Sequence, residues 1–208
     1  MEHATLRVAP NSTYKIYDAL FGLEENIITP KNSFIAWNGE SYPFKAWNAD
    51  QTLPTAMNSS VNWYFQAVDK QLGASEIYSY LHKIGYGNEN MSGDFSTYWM
   101  ESSLEISPIE QVELLTRLQN NCFDFAPKNI NAVKDAIRLS SNDTGTIYGK
   151  TGTGRVDGKD VNGWFIGYIE TANNTYFFAV NIGADSDAAG SVAAEITLSI
   201  LSDLQIWK

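Results

Sequence analysis

The sequence predicts an α+β domain, in which an antiparallel β-sheet is flanked by helices and joined to a helical region. Two observations lead to this fold class. Apolar residues recur at helical spacing through the first two thirds of the chain, and short β-rich segments separated by the turns Asn162-Gly163 and Asn173-Asn174 follow. Because 208 residues can bury a core, we expect a single domain, with the helical region over about 12–140 and the sheet with a C-terminal helix over about 141–208.

The first predicted element is a helix from Ser12 to about Glu25, with Asn11 or Ser12 placed to cap it. A Trp- and Pro-rich stretch over 37–54 predicts irregular structure, and 85–88 predicts a turn. Further helices are expected over 55–70, 75–81, 107–118 and 129–139. Ser107-Pro108 with the later Glu110 marks the start of the third of these. After turn-forming residues at 141–145, strands are expected over 146–150, 164–170 and 175–182, before a final helix over about 188–204.

Composition excludes several classes of function. The net charge of −10 and the lack of a basic stripe argue against binding to nucleic acid. Cys122 is the single cysteine, and His3 and His82 are far apart, so no metal-binding cluster is predicted. No apolar run approaches the ~20 residues that a membrane-spanning helix needs, and we see no leader segment.

A candidate nucleophile lies at the start of the first helix. Ser12 and Lys15 are separated by three positions, so the hydroxyl and the amine share one helix face. An uncharged lysine can take the proton of a serine hydroxyl, and the helix N-terminus adds N–H groups and positive potential near a reacting carbonyl. On its own this spacing also occurs by chance in ordinary helices.

Two further short motifs carry polar groups suited to a substrate. Ser60-Val61-Asn62 offers a hydroxyl and an amide that can relay a proton or hold a carbonyl group. Lys150-Thr151-Gly152 ends a predicted strand, where Lys150 supplies positive charge and the small residues let a substrate backbone lie alongside. Each motif alone is equally consistent with a cap, a surface position or a turn.

Taken together, the order of the motifs resembles the signature of penicillin-binding proteins and serine β-lactamases: Ser-x-x-Lys, then Ser-x-Asn, then Lys-Thr-Gly. Tyr86-Gly87-Asn88 resembles the Tyr-Gly-Asn motif of class D β-lactamases. The segments 10–17, 60–65, 98–101 and 148–154 look most like the extracellular sensor domain of BlaR/MecR-type penicillin receptors. The resemblance implies a domain that β-lactam antibiotics acylate and that keeps the acyl group, which signals the induction of resistance.

The resemblance also implies roles for individual residues. Ser12 would be the acylated nucleophile, Lys15 its base, carrying a carboxyl group derived from carbon dioxide, and Ser60 the relay to the leaving nitrogen. Trp99 matches the tryptophan that holds the carboxylated lysine, and the N–H groups of Ser12 and Thr153 would form the oxyanion hole. The residues expected to bind substrate are Asn62, Tyr86, Asn88, Trp99, Lys150, Thr151, Gly152 and Thr153. No metal or other cofactor is expected.

Three departures from the class D pattern bear on function. Asn62 replaces the usual apolar residue, and an amide there can compete for the carboxyl group on Lys15, which favours a sensor. No Lys or Arg occurs between Lys159 and Lys208, where class D enzymes place an arginine. Only eleven residues precede Ser12, so we expect upstream strands, or a membrane-anchored remainder of a receptor, to be missing.

Three functions therefore remain open at this level. A sensor on the extracellular face of the membrane, or secreted, would acylate once and deacylate slowly. A class D β-lactamase would turn over through the same acylated Ser12. A D,D-peptidase acting on cell-wall peptides shares the three motifs, although Tyr86-Gly87-Asn88 and the short chain argue against it.

Overall fold

The computed structural model describes residues 2–207 and confirms the predicted α+β class. Four antiparallel strands form one sheet in the order β1-β2-β3-β4. The strands are β1 Arg138–Asn142, β2 Gly145–Val156, β3 Lys159–Thr171 and β4 Thr175–Gly183. The α-helices are α1 Glu2–Thr5, α2 Lys15–Glu24, α3 Leu53–Asn58, α4 Asn62–Leu72, α5 Ala74–Ile84, α6 Pro108–Gln119, α7 Pro127–Ala136 and α8 Gly190–Asp203. Short 3₁₀ turns occur at Asn11–Thr13 and Lys45–Trp47.

The sheet is covered on both faces, because alternate residues of a strand point to opposite sides. Ile147 and Ile169 pack with Leu201 of α8 on one face. Tyr148 and Tyr168 join the large core of the helical region on the other face. Strand β3 is therefore apolar on both faces, and its central residues are buried.

Helix α2 is the centre of the helical region. Every residue from Lys15 to Leu23 is buried, including the polar Lys15 and Asp18, and α2 packs against α4 and α7. A helix that is enclosed on all sides can bury charge only where other polar groups meet it. This enclosure is what brings Lys15 out of solvent and into the site described below.

Several predicted boundaries are wrong for identifiable reasons. The predicted helix over 55–70 is two helices, because Ser60 adopts a left-handed φ of 53° and Val61 is extended. Neither Asn11 nor Ser12 caps α2 with its side chain, since a 3₁₀ turn precedes that helix and Asn11 bonds elsewhere. The predicted helix over 129–139 ends at Ala136, and the chain enters β1 at Arg138.

The predicted start of one helix is confirmed. Ser107 and Glu110 form a reciprocal capping box with Pro108 at the first turn of α6. Strands β2 and β3 are longer than predicted, because their outer ends pair with each other beyond the apolar runs that indicate them. Within residues 2–207 none of the helices has both the length and the apolar character needed to cross a bilayer.

Candidate active site

A cavity of about 540 Å³ opens where the 3₁₀ turn before α2, the α3–α4 connection, β2 and the start of α8 meet. Its walls include the predicted residues Ser12, Ser60, Asn62, Thr151 and Thr153. The other lining residues are Asn11, Phe44, Trp47, Ser59, Met100, Glu101, Arg155, Asp160, Ala189 and Ser191. The structure thus brings the three motifs to one pocket although up to 140 residues separate them in sequence.

The 3₁₀ turn Asn11–Thr13, here called the nucleophile turn, is held in a constrained backbone conformation. Asn11 has a φ of 50°, its N–H donates to the carbonyl of Trp99 at 2.9 Å, and its side-chain amide donates to Glu101 Oε1 at 2.8 Å. Such left-handed geometry in a residue other than glycine persists where surrounding contacts fix it. These contacts hold Ser12, half-buried, at the cavity wall.

Lys15 lies directly behind the hydroxyl of Ser12. Its Nζ is 2.9 Å from Ser12 Oγ, 2.8 Å from the carbonyl of Ser60 and 2.5 Å from Asn62 Oδ1. Burial lowers the pKa of Lys15 well below its ordinary value, Lys150 lowers it further, and Asp18 opposes both effects. Complete burial therefore favours the neutral amine that a base requires, while the surrounding acceptors favour the ammonium.

Ser60 connects the two buried lysines. Its Oγ is 3.1 Å from Lys15 Nζ and 2.9 Å from Lys150 Nζ, so one hydroxyl bridges two amines. Burial lowers the pKa of Lys150 to about 7, and its Nζ also donates to the carbonyl of Thr151 at 2.9 Å. The hydroxyl of Ser60 can therefore accept from one lysine and donate to a neighbouring atom in the cavity.

Strand β2 forms the wall opposite Ser60. A Cβ on Gly152 would lie 2.9 Å from the carbonyl of Pro10 and 3.3 Å from the N–H nitrogen of Ser12, so the absent side chain lets β2 approach the nucleophile turn. Thr153 Oγ1 accepts from the N–H of Gly190 at 2.9 Å and so ties the start of α8 to this wall. Gly152 therefore shapes the site without lining it.

Besides Lys150 and Gly152, three of the predicted substrate-binding residues do not line the cavity. Trp99 is fully buried; its ring lies 5.1 Å below Lys15 Nζ, and its indole N–H donates to Asp69 Oδ2 at 3.3 Å. Tyr86 is also fully buried and makes edge contacts with the ring of Tyr14. The side chain of Asn88 holds the following loop through hydrogen bonds to the backbone of Ser103, Glu105 and Asn90. The structure places these residues behind the site, where they support it.

Sequence reasoning missed four polar residues. Glu101 and Arg155 line the cavity, and Arg155 is a cation beyond Lys150 on the same strand, paired with Asp160 at 2.7 Å. Asp18 and Asp69 are buried behind Lys15. An aspartate one helical turn after a buried lysine was a usable signal for Asp18, whereas nothing in the local pattern marked Asp69.

A carboxyl group on Lys15 is the one modification that the resemblance implies. A carboxylate needs hydrogen-bond donors, yet Lys15 Nζ faces the oxygen of Asn62, and the amide N–H₂ of Asn62 points to Met100 Sδ at 3.1 Å. The indole N–H of Trp99 is engaged by Asp69. Asn62 thus presents an acceptor suited to an amine or ammonium, and the hydroxyls of Ser12 and Ser60 are the donors beside Lys15 that a carboxylate would meet. No cluster of metal-ligating side chains occurs in the part of the chain that the structure describes.

Comparison with known proteins gives concordant results. The chain matches the penicillin binding protein transpeptidase domain over residues 2–202. It is 50% identical over 206 residues to the regulatory protein BlaR1 of Bacillus licheniformis, covering 99% of this chain and 34% of that protein. It is 36% identical over 200 residues to the probable β-lactamase YbxI of Bacillus subtilis, covering 96% of this chain and 73% of that protein.

The fold agrees with a solved structure of high similarity. The C-terminal domain of the Bacillus licheniformis BlaR penicillin receptor superposes with a TM-score of 0.96 at 50% identity, over all of this chain and 84% of that one. The chain spans about a third of the length of the regulatory relative that it matches. Motif order, site geometry and these similarities together show that the chain belongs to the penicillin-binding protein transpeptidase domain family, in the branch of the BlaR/MecR-type sensor domains.

Proposed function

We propose that this domain is the β-lactam sensor of a regulatory receptor, acylated at Ser12 and slow to deacylate. The observation that carries the proposal is the contact of Lys15 Nζ with both Ser12 Oγ at 2.9 Å and Asn62 Oδ1 at 2.5 Å. The first contact supplies a base for acylation. The second contact holds the amine of Lys15 against a fixed acceptor, which opposes the activation of water by that amine in the hydrolysis of the acyl group.

The acylation step follows from the positions of the side chains. Ser12 Oγ attacks the lactam carbonyl carbon, an ester bond forms, and the carbon–nitrogen bond of the lactam breaks. The hydroxyl proton passes to the neutral amine of Lys15, which becomes the ammonium. Ser60 gives its own proton to the departing nitrogen and takes one from the ammonium of Lys150, so Lys15 stays protonated. The positive charge of Lys150 and the hydroxyls of Thr151 and Thr153 suit the carboxylate of the antibiotic.

Slow deacylation depends on the state of Lys15 after the first step. Hydrolysis of the ester needs a base to activate water, and a protonated lysine cannot serve. Asn62 Oδ1 accepts from Lys15 Nζ at 2.5 Å, and an acceptor in this position stabilises the ammonium. We propose that a carboxyl group on Lys15, if carbon dioxide adds there, is displaced by the same amide.

The place of the domain in a larger protein is part of the proposal. This chain matches 34% of the regulatory protein BlaR1 at 50% identity and 34% of the methicillin resistance mecR1 protein at 44% identity, so the remainder of such a protein would carry the signal. Because β-lactams reach a cell from outside, a sensor for them must face the exterior. We therefore place the domain on the extracellular side of a membrane receptor, with β-lactam antibiotics as its ligands.

The test is intact-protein mass spectrometry during reaction with excess benzylpenicillin and after the free drug is removed. We expect one adduct per chain, absent in Ser12→Ala, that persists for hours. An adduct that disappears quickly while the drug is consumed would instead identify a class D β-lactamase, the alternative that the 36% identical probable β-lactamase represents. Absence of any adduct would contradict both.

A further inference from the structure

A carboxylate lies on the cavity wall in a part of the site that the acylation step does not use. Glu101 lines the cavity and is exposed. Its Oε1 accepts from the side-chain amides of Asn11 at 2.8 Å and of Asn162 at 2.7 Å. Within residues 2–207 neither an N–H nor a hydroxyl group donates to its Oε2. One oxygen is therefore fixed by two neutral donors, and the other is left for a ligand in the cavity.

The surrounding backbone holds the side chain of Glu101 in place. A Cβ on Gly154 would collide with Glu101 Oε1, so the carboxylate rests against bare backbone of β2. Asn162 pairs with Gly154 in the register of β2 and β3, is itself buried, and accepts from the amide of Asn181 at 2.8 Å. A carboxylate that is fixed in this way loses little conformational freedom when a ligand binds.

The other charged groups of the site leave the charge of Glu101 uncompensated. Among the described residues that line the cavity, Arg155 is the one cation, and its Nε donates to Asp160 Oδ1 at 2.7 Å. Lys15 and Lys150 are buried behind the wall, where each contacts a serine hydroxyl. The part of the cavity beside Glu101 is therefore negatively charged at neutral pH.

The order of positions along β2 shows which part of an antibiotic reaches Glu101. Lys150, Gly152 and Gly154 point to the same face of the strand. A Cβ on Gly152 would adjoin the backbone nitrogen of Ser12, and one on Gly154 would adjoin Glu101. In a penicillin, the ring carboxylate lies on the nitrogen side of the lactam bond and the acylamino side chain on the carbonyl side. With the carboxylate toward Lys150 and the carbonyl at Ser12, the acylamino side chain therefore points toward Glu101.

The lengths of the ligand and of the strand agree. A trans amide joins the α-carbon of the acylamino side chain to the lactam ring and sets the two carbons about 3.8 Å apart. One further bond at each end brings a substituent on the α-carbon about 6 Å from the lactam carbonyl. Two residues of a strand span about 6.8 Å, which is the separation of Gly152 from Gly154. The group on the α-carbon is therefore the one that Glu101 meets.

We propose that Glu101 is a specificity-determining residue that favours β-lactams with an ammonium group on the α-carbon of the side chain and disfavours those with a second carboxylate there. This inference rests on the proposed function, because it takes acylation of Ser12 by β-lactams as given. It adds the charge of the side chain as a property by which the domain distinguishes its ligands. A contact between charges at an exposed position changes affinity by a factor of roughly two to five.

The test uses three penicillins that differ at the α-carbon: benzylpenicillin carries hydrogen there, ampicillin an ammonium group and carbenicillin a carboxylate. Second-order rate constants for acylation are measured by intact mass for the wild type and for Glu101→Gln, whose amide oxygen can still accept from Asn11 and Asn162. We expect the ratio of the ampicillin to the carbenicillin rate constant to fall roughly fivefold in the variant. A general disturbance of the nucleophile turn cancels in this ratio, because both drugs react with the same protein.

Glu113→Gln is the matched control, since Glu113 is exposed on α6 and does not line the cavity. Its ratio should equal that of the wild type. An unchanged ratio in Glu101→Gln would overturn the proposal. An equal fall in both variants would also overturn it, because the effect would then arise from net charge. If none of the three drugs acylates Ser12 in the wild type, the proposed function itself fails, and this result is distinct from an unchanged ratio.

The wild type provides a second measurement if Glu101→Gln does not fold. An α-amine loses its proton at about pH 8, so the ratio of the ampicillin to the benzylpenicillin rate constant should fall as pH rises from 6 to 9.5. Each ratio is divided by the corresponding ratio for hydroxide-catalysed hydrolysis of the free drugs, which removes their difference in intrinsic reactivity. Lys15 and Lys150 act on groups that both drugs share, so their titration cancels. A corrected ratio that stays constant with pH would refute the proposal.

Discussion

Replacing Asn62 with valine should convert a long-lived acyl-protein into one that turns over. Asn62 Oδ1 lies 2.5 Å from Lys15 Nζ, and no other side-chain carbonyl reaches that amine among the described residues. Hydrogen bonds to charged groups contribute about 1.5–3 kcal/mol. Loss of this one favours the neutral amine by the same amount, and since about 1.4 kcal/mol is a factor of ten, we expect hydrolysis of the adduct to accelerate roughly 10- to 100-fold.

The assay follows decay of the benzylpenicillin adduct by intact mass after free drug is removed. Asn58→Val is the matched control, because Asn58 is an exposed asparagine at the end of α3 that does not contact Lys15. Its adduct should persist like that of the wild type. The reasoning fails if Asn62→Val is acylated normally and keeps its adduct as long as the wild type does, because the amide would then have no part in holding the base.

Three further predictions concern β2. Gly152→Ala should slow acylation at least tenfold and lower the melting temperature, because the new Cβ would lie 2.9 Å from the carbonyl of Pro10 and displace the nucleophile turn; unaltered kinetics would exclude that close approach as a requirement. Burial lowers the pKa of Lys150 to about 7, so its ammonium is lost as pH rises through 7, and the apparent affinity for benzylpenicillin should weaken between pH 6 and 8.5. A neutral penicillin ester, measured in parallel, should show no such trend. The same depressed pKa means that the unfolded chain binds more protons than the folded one between pH 7 and 10.5, so this group makes stability rise with pH over that interval.

The fold class followed from the sequence because each type of element carried its own local signal. The Ser107-Pro108-Glu110 start of α6 is one example, since a cap, a proline and an acid at fixed offsets specify a helix start without help from the rest of the chain. The break at Ser60 was not predictable in this way. A left-handed serine has no local sequence signal, and the contacts of Ser60 with Lys15 and Lys150 come from distant segments.

The residues of the site also fall into two groups, those with a local sequence signal and those without one. Ser12, Lys15, Ser60, Asn62 and Lys150 were found from short motifs because the chemistry fixes their spacing. Supporting residues have no such constraint: Asp69 accepts from the indole N–H of Trp99, and only tertiary packing brings these two distant residues together. Tyr86 and Asn88, which the motif assigned to substrate binding, lie outside the cavity wall, because a motif marks a position without indicating whether its side chain faces the cavity.

The three left-handed residues around the cavity, Asn11, Ser60 and Glu101, bear on how a site of this kind can diversify. A β-branched residue at any of them would meet a steric penalty from its own backbone, whatever its chemistry. Asn62 lies among them, yet it is the first residue of a regular helix, where valine or threonine is conformationally acceptable. Position 62 can therefore change without backbone strain, and we expect a single substitution there to exchange persistence of the acyl group for turnover while the pocket keeps its shape.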